Sequence, residues 1–482
     1  MFDAELLSER ARVTPGKLAL VSVETGERLT YSELNARAEG AAAALQSLGL
    51  QPGDRFGLLA HNSIDFIATF FAAGKIDLIV VPLSTRATAH ELSHIAADCG
   101  MKVLLYGPGF EEVVEQMQLD ARPIESLRGS GPLNARPHDP ESTYCLLYTS
   151  GTTGKPKGVM IPRRQLYWNG YNTAVNWGLR EDDVSPIFTP LYHAGGLAAF
   201  LIPIFSVGGT IVLHRSFDVT EVWRTMQSER CTVILGVPTI WKLLMDAPEF
   251  ATADLSHVRW LISGGAPLPH FIIAAYQQRG VVFKQGYGMT EVGVNCFTMT
   301  VEESFRKPGS IGKPMLFTEV RLVDSDGNEV PAGEIGEMWI RGPHVSKGYW
   351  NDEEATRAAY AGGWLKTGDL ARRDEEGFFT IAGRRKEMFI SGGVNVYPAE
   401  IEAELVAHPS VSDAAVVAVP DDTWGEVGVA FVVGDASEED LASYLTLRIA
   451  KYKVPKRFVF LDALPRTPYG KVVKEELKRR LA

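Results

Sequence analysis

Cysteine is scarce in this chain: Cys99, Cys145, Cys231 and Cys296 are the only four among 482 residues. No two lie within metal-finger spacing, which argues against a structural zinc site. The expectation is four reduced thiols in a cytoplasmic protein. Long apolar runs are also missing. The most apolar stretch, Ala198 to Leu213, is broken by Pro203 and Gly208-Gly209. It is too short to span a bilayer and reads as buried core. The segment MFDAELLSERARVTPGK is charged and has no apolar h-region, so no signal peptide is read there. Net positive charge is absent: 48 Lys+Arg against 59 Asp+Glu leave −11. That disfavours non-specific nucleic-acid binding but still allows a local basic patch that holds an anion. There is no internal repeat and no low-complexity segment. Glycine, in contrast, is plentiful, with 46 residues, several of them clustered. At 45% hydrophobic and 22% charged, the composition is that of a globular protein. The length suggests about three structural units.

The first 300 residues or so alternate helical and strand patterns. Thr30 and Glu33 have capping-box spacing before NARAEGAAAALQSLG, a helix with its stop signal at Gly49. RFGLLA reads as a buried strand, DFIATFFAAGKI as a helix, LIVVPL as a strand, HELSHIAAD as a helix and KVLLY as a strand. The same alternation returns in VTEVWRTMQSER, TVILG, PTIWKLLMD and VRWLIS. Such alternation predicts βαβ units and parallel sheets covered on both faces. Arg128 to Pro140 reads as a surface loop. From about Lys307 to Thr380 short alternating strands with turns at Asp326-Gly327 and Ala332-Gly333 predict a small barrel-like unit. A boundary near Arg384 to Lys386 separates residues 1–383 from 384–482. The latter contain a helix over Pro398 to His408, strands over Ala414 to Val419 and Val427 to Val433, a helix over Glu438 to Lys451, and a basic tail.

The strongest local signal is Tyr148-Thr-Ser-Gly-Thr-Thr-Gly-Lys-Pro-Lys-Gly158. Its glycines let backbone approach an anion, while its hydroxyls and lysines add donors and charge, as a phosphate cradle needs. It is not the Walker pattern, because Lys157 is followed by Gly158. In Gly286-Tyr-Gly-Met-Thr-Glu291, Tyr287 can stack on a base, Thr290 can bond a phosphate, and Glu291 can hold a hard cation such as Mg²⁺. In Thr367-Gly-Asp-Leu370, a carboxylate on a tight turn can accept two ribose hydroxyls. Gly383-Arg-Arg-Lys-Glu387, Ser391-Gly-Gly393, Tyr397-Pro-Ala-Glu-Ile-Glu402 and the tail Pro465-Arg-Thr-Pro-Tyr-Gly-Lys471 follow in order.

Taken in this order, from about Leu29 to Lys474, the motifs resemble those of the adenylate-forming superfamily. Within it the chain is most similar to bacterial fatty-acyl-CoA and aryl-CoA ligases of the 4-coumarate type, and SGGVNVYPAEIE is typical of that group. The resemblance implies an α/β fold: a large N-terminal domain of two parallel or mixed sheets flanked by helices, a β-barrel-like unit at about 307–380, and a small mobile α+β C-terminal domain. It implies a two-step reaction with ATP, Mg²⁺ and coenzyme A. A carboxylate attacks the α-phosphate of ATP to give acyl-adenylate and pyrophosphate; the thiol of coenzyme A then displaces AMP. Catalysis of that kind rests on positioning and charge neutralisation.

By the same resemblance, Thr149, Ser150, Gly151, Thr152, Thr153, Gly154, Lys155 and Lys157 hold the β- and γ-phosphates. Thr290 and Glu291 serve the α-phosphate and the metal. Tyr287 stacks on adenine with Gly288, Gly265 and Ala266 near the nucleotide, and Asp369 and Arg384 hold the ribose. Lys471 bridges the acid and the α-phosphate. Lys386 matches the hinge about which the small domain rotates, and Ser391, Gly392 and Gly393 line the pantetheine tunnel. Trp424, Tyr452 and Lys456 fall at coenzyme A contacts, although a further basic position there is Val454. His193 matches a position between acid pocket and tunnel, as a gate or orienting group and not a general base.

The acid is placed near Gly195, Ala198, Ile262, Gly264, Gly265, Gly286, Gly288, Val294 and Asn295. Gly195 stands where coumarate-type ligases often have tyrosine, and Ile262 where they often have lysine. With no cation at these positions, a second carboxylate would be buried unpaired. The expected substrate is therefore an apolar monocarboxylic acid, either aryl or phenylpropenoic or a medium-to-long fatty acid. Three other readings share the motifs: an adenylation enzyme that loads a carrier protein, a luciferase-like oxidase, and a non-catalytic nucleotide-binding module. The last should have lost Lys471 or Glu291, and both are present. No nucleic acid or integral membrane segment is expected. A homodimer is left open, since no residue argues for one.

Overall fold

The capping box read at Thr30 is formed. Its hydroxyl accepts the Glu33 N–H at 3.3 Å and the Glu33 carboxylate accepts the Thr30 N–H at 2.8 Å, which starts the helix Tyr31–Ser47. Thr88 and Glu91 start Ala89–Cys99 in the same way. The computed structural model describes residues 5–129, 133, 139–150, 156–467 and 472–481, without the side chain of Ser150. Gly151, Thr152, Thr153, Gly154, Lys155 and Lys471 lie outside the described residues, as does most of the 128–140 segment.

Two large sheets carry the N-terminal part. One has the spatial order Ala121–Pro123, Val103–Tyr106, Arg55–Leu59, Ile79–Pro82, Thr143–Ser150, Pro156–Pro162. It is parallel except for the last pair, an antiparallel hairpin whose register sets Thr149 opposite Lys157. The second sheet contains the parallel strands Leu18–Ser22, Thr210–Leu213 and Val184–Ile187, with Arg28–Thr30 antiparallel at the edge. The Thr232 N–H donates to the Val184 carbonyl at 2.8 Å, which brings alongside it the parallel trio Val233–Gly236, Trp260–Ser263 and Phe283–Gln285.

The helix Ile64–Ile76 is apolar apart from Asp65, Thr69 and Lys75, and all of it but Asp65 is buried. It packs against Tyr31–Ser47, and together they fill the space between the two sheets. Fully burying Phe66, Phe70 and Phe71 there stabilises the fold by about 1.5–3 kcal/mol each. The stretch 198–213 is core, as expected: Leu197–Leu201 is one π-helical turn leading into the helix Ile202–Val207 and the strand Thr210–Leu213. Among the described residues no helix is long and apolar enough to cross a membrane.

The β-rich unit is a half-barrel of five antiparallel strands: Glu319–Val323, Ile335–Arg341, Trp364–Arg373, Tyr360–Ala361 and Phe379–Arg384. After it, Phe389–Ser391, Val394–Val396, Val411–Asp421, Gly425–Gly434 and Arg457–Phe460 form a separate sheet with the helix Pro398–Val406 on it. The helix expected over Glu438 to Lys451 stops at Thr446. The Leu445 carbonyl accepts both the Arg448 and Ile449 amides at 2.9 Å, and this tight turn folds Ile449 onto the core.

Candidate active site

Tyr287, Thr290 and Glu291 follow directly on the strand Phe283–Gln285, and Thr290–Val292 forms one 3₁₀ turn. The turn is pinned from two sides. The Gln165 amide donates to the Thr290 carbonyl at 2.8 Å, and the Ser346 N–H to the Glu291 carbonyl at 2.8 Å. A Cβ at Gly288 would overlap the Val294 carbonyl, so only glycine fits that step. The Tyr287 hydroxyl donates to Asp369 at 2.5 Å. Arg384 pairs with the other Asp369 oxygen at 2.6 Å. Burial, then the Asp369 charge, pushes the Tyr287 phenol well above its usual range.

Asp369 does not sit on a tight turn, as the sequence suggested. It lies inside the strand Trp364–Arg373, opposite Arg384. Gly368, with φ +71°, and an adjacent register shift aim the carboxylate at Tyr287.

Glu291 is buried, and burial raises its pKa against the pull of its own backbone, Tyr349 and Arg384. The Tyr349 hydroxyl donates to it at 3.0 Å. The Tyr349 ring lies 5.4 Å below the Lys157 ammonium, which pairs with Asp352 at 3.2 Å. Tyr349 therefore ties the base of the hairpin that carries Lys157 to Glu291. Sequence reasoning missed it; the available signal was an aromatic pair after Gly348. A hard cation fits here, because Glu291 is a buried oxygen donor whose ionised form lacks solvation. No group of three or more metal-ligating residues occurs among the described residues. Mg²⁺ would therefore take Glu291 together with phosphate oxygens and water, and it would supply charge neutralisation at the phosphates.

Profile comparison matches residues 7–350 to the AMP-binding enzyme family and residues 400–471 to the AMP-binding enzyme C-terminal domain. The chain belongs to the AMP-binding enzyme family. A feruloyl-CoA synthase from an Amycolatopsis species is 40% identical over 483 residues, 98% of this chain and 97% of that protein. A long-chain-fatty-acid–CoA ligase of Mycobacterium tuberculosis, FadD13, is 37% identical over 98% of this chain and 97% of its own. Among solved structures, o-succinylbenzoate CoA synthetase (MenE) from Bacillus subtilis with its acyl-adenylate intermediate superposes with a TM-score of 0.91 at 34% identity, over 98% of both chains. The same enzyme has also been solved with ATP and magnesium ion (TM-score 0.91, 33% identity, 98% of this chain and 99% of that one).

In this AMP-binding enzyme, His193 caps the short helix Ala194–Gly196, its Nδ1 accepting the Gly195 N–H at 3.3 Å. Burial pushes its imidazole down to about 3, so it stays neutral through the physiological range and is a poor general base. Ala198 and Val294 line a small cavity together with Ile161, Asn169 and Thr290. Gly264 has open space where a side chain would be, and Gly265 follows with φ +84° beside Val237. A Cβ at Gly286 would meet Ile262 at 3.1 Å, so these two face the same way. The Asn295 amide donates to Thr173 and to the Ala199 carbonyl, 3.0 Å each, which fixes its side chain. Ala266 follows Gly265 before the helix His270–Gln278.

On the C-terminal side, the Gly392 N–H donates to the Trp424 carbonyl at 2.9 Å. Lys456 lies 5.6 Å over the exposed Trp424 ring. Ser391 ends a strand with Gly393 two residues on, and Tyr452 lies on a 3₁₀ turn against the small sheet's core. Lys386 is exposed in the turn after the half-barrel, where the Glu387 and Met388 amides both bond the Arg384 carbonyl. One tail lysine passed unnoticed in the sequence. Lys474 is held by Glu387 and Glu402, 2.7 Å each. Although burial opposes it, these two carboxylates raise its pKa.

Proposed function

We propose that the acid taken by this enzyme is an apolar-bodied monocarboxylate, aryl or phenylpropenoic before fatty, and that the residues above serve its conversion in the roles stated below. The chain is an AMP-forming acid–CoA ligase. A carboxylate oxygen attacks the ATP α-phosphorus, the bond to pyrophosphate breaks, and acyl-AMP forms. The coenzyme A thiol then attacks the acyl carbon, AMP leaves, and the thiol proton is released.

The observation that carries the role assignment is a pair of contact chains that meet at the segment holding Tyr287 and Glu291. Lys157, at the base of the phosphate hairpin, reaches Glu291 through Tyr349, while Tyr287 reaches Asp369 and Arg384. Phosphates, α-phosphate with metal, and ribose are thereby offered donors and acceptors in the order they occur along a nucleotide. Arg384 and Tyr287 orient the Asp369 carboxylate toward the ribose, and the Tyr287 ring presents a face to adenine. The hairpin residues 149–157 take the β- and γ-phosphates, and Lys471 takes the forming acyl-phosphate contact. Residues 1–383 are the adenylation domain and 384–482 the mobile domain, with Lys386 as hinge. Ser391, Gly392, Gly393, Trp424, Tyr452 and Lys456 are the coenzyme A side. A cytoplasmic location fits the four buried, unpaired cysteines and the substrates ATP and coenzyme A.

The test is MgATP-dependent AMP release over octanoate, palmitate, benzoate, coumarate and ferulate, with and without coenzyme A. Turnover of aryl acids that requires coenzyme A supports the reading, and preference for palmitate overturns its aryl part. Pyrophosphate exchange without release of AMP to coenzyme A points to a carrier protein as acceptor. The pocket assignment has its own check. In Gly195→Tyr the bulkiest acids should lose at least tenfold in kcat/KM while the smallest are spared. An unchanged acid profile removes Gly195 from the pocket.

A further inference from the structure

Lys284 lies in the middle of the strand Phe283–Gln285 and is 7% exposed. In the parallel register it stands beside Ile262. Side chains alternate along a strand, so Lys284 and Gly286 share a face. Gly286 in turn faces Ile262. The three therefore look into the core that contains Leu197, Ala198 and Phe200, the segment proposed to wall the acid. Lys284 is one position deeper than Gly286.

Its ammonium makes no hydrogen bond and no ion pair with any described residue. It lies over the Trp260 ring, 5.2 Å from centroid to nitrogen. Trp260 sits edge-on to Phe200 and Trp177, and its own indole N–H has no acceptor. The Trp260 indole N–H is thus a buried donor without a partner among the described residues, and it lies beside an ammonium that no described residue bonds. The contrast is Lys75, which is equally buried but bonded to Glu5 at 3.1 Å and Asn35 at 2.6 Å. An ammonium enclosed to this degree, with a buried indole N–H beside it, gains when a group that accepts a hydrogen bond occupies the site. Burial first, then Arg259, lowers the Lys284 pKa to about 8, with Glu303 opposing. The group is thus largely charged at neutral pH.

We propose that Lys284 closes the far end of the acid pocket and selects acids bearing a hydrogen-bond-accepting ring oxygen, a hydroxyl or methoxy group, remote from the carboxylate. The proposal rests on the ligase reading. It would add a cation to a wall whose assigned positions carry none: position 262, often lysine in coumarate-type ligases, is isoleucine, and Lys284 lies one strand over at the same register.

The experiment compares kcat/KM for coumarate and cinnamate, which differ by one ring hydroxyl, in wild type, Lys284→Met and Lys284→Arg. Wild type should prefer coumarate. Lys284→Met should lose at least tenfold on coumarate and less than threefold on cinnamate, and Lys284→Arg should keep the preference. If Lys284→Met does not fold, the Lys284→Arg and wild-type preferences decide. Equal losses on both acids, no loss on either, or a wild-type preference for cinnamate overturns the proposal. So does a wild-type preference for an acid with a second, remote carboxylate. Failure of the ligase reading is distinct: wild type would then form no acyl-CoA from any acid.

Discussion

Lys471→Ala should lower acyl-adenylate formation by about a thousand-fold or more while thioester formation from supplied acyl-AMP stays within a few-fold of wild type. The reasoning is electrostatic. Adenylation concentrates negative charge between the acid and the α-phosphate, and a cation aimed at that point is worth at least what a lost oxyanion donor costs, about 10²–10³ in rate. The second step releases AMP from an adenylate already made and does not need that cation. The structure adds the means of delivery. Arg466, near the start of the tail motif, and Val472, just after it, form an antiparallel bridge. Arg466 pairs with Asp413 at 2.5 Å, and Lys474 is clamped by Glu387 and Glu402. The base of the tail is thus fixed to the small sheet, and movement of that sheet would carry Lys471 with it. Pyrophosphate exchange and acyl-AMP–dependent thioester formation, measured separately, check this. Equal loss of both steps would remove Lys471 from the adenylation role.

Lys386→Pro should do the reverse: keep adenylation within about fivefold and lower thioester formation by at least a hundred-fold. Proline holds φ near −65° and restricts the residue before it, here Arg385, so a rotation made in this turn is blocked. The substitution removes no hydrogen bond of this turn: they run from Arg385 to Gly368 and from Glu387 and Met388 to Arg384, with none from the Lys386 amide among them. Acyl-AMP should therefore accumulate on the enzyme in a single-turnover experiment with coenzyme A present. Normal overall turnover would place the hinge elsewhere.

Much of this protein was legible in the sequence because the signals are local. Thr30 and Glu33 cap their helix through atoms three residues apart, and the alternation of apolar runs in the first 300 residues foretold the strands and helices of both large sheets. The ordered motifs pointed to the AMP-binding family, since backbone near a phosphate demands glycine, hydroxyl and lysine in short spacing. Local reading failed wherever a long-range neighbour decides. Asp369 was read on a turn because Thr-Gly-Asp is turn-like, yet half-barrel pairing extends it and Arg384, 15 residues on, orients it. The helix after Glu438 ends early because Ile449 is drawn onto the small domain's core. The partners that fix the Asn295 amide, Thr173 and Ala199, are likewise distant in sequence.

The sequence by itself determined the reaction class, the order of the nucleotide motifs and most elements, because these depend on spacing along the chain. Only the tertiary structure decided which side chains meet across it: Tyr349 with Glu291, Tyr287 with Asp369, and Lys284 with the face that Ile262 and Gly286 share. Strand register sets where Asp369 and Lys284 enter those meetings. A register slip of one residue would turn these two side chains to the opposite face, and no run of neighbouring residues encodes it.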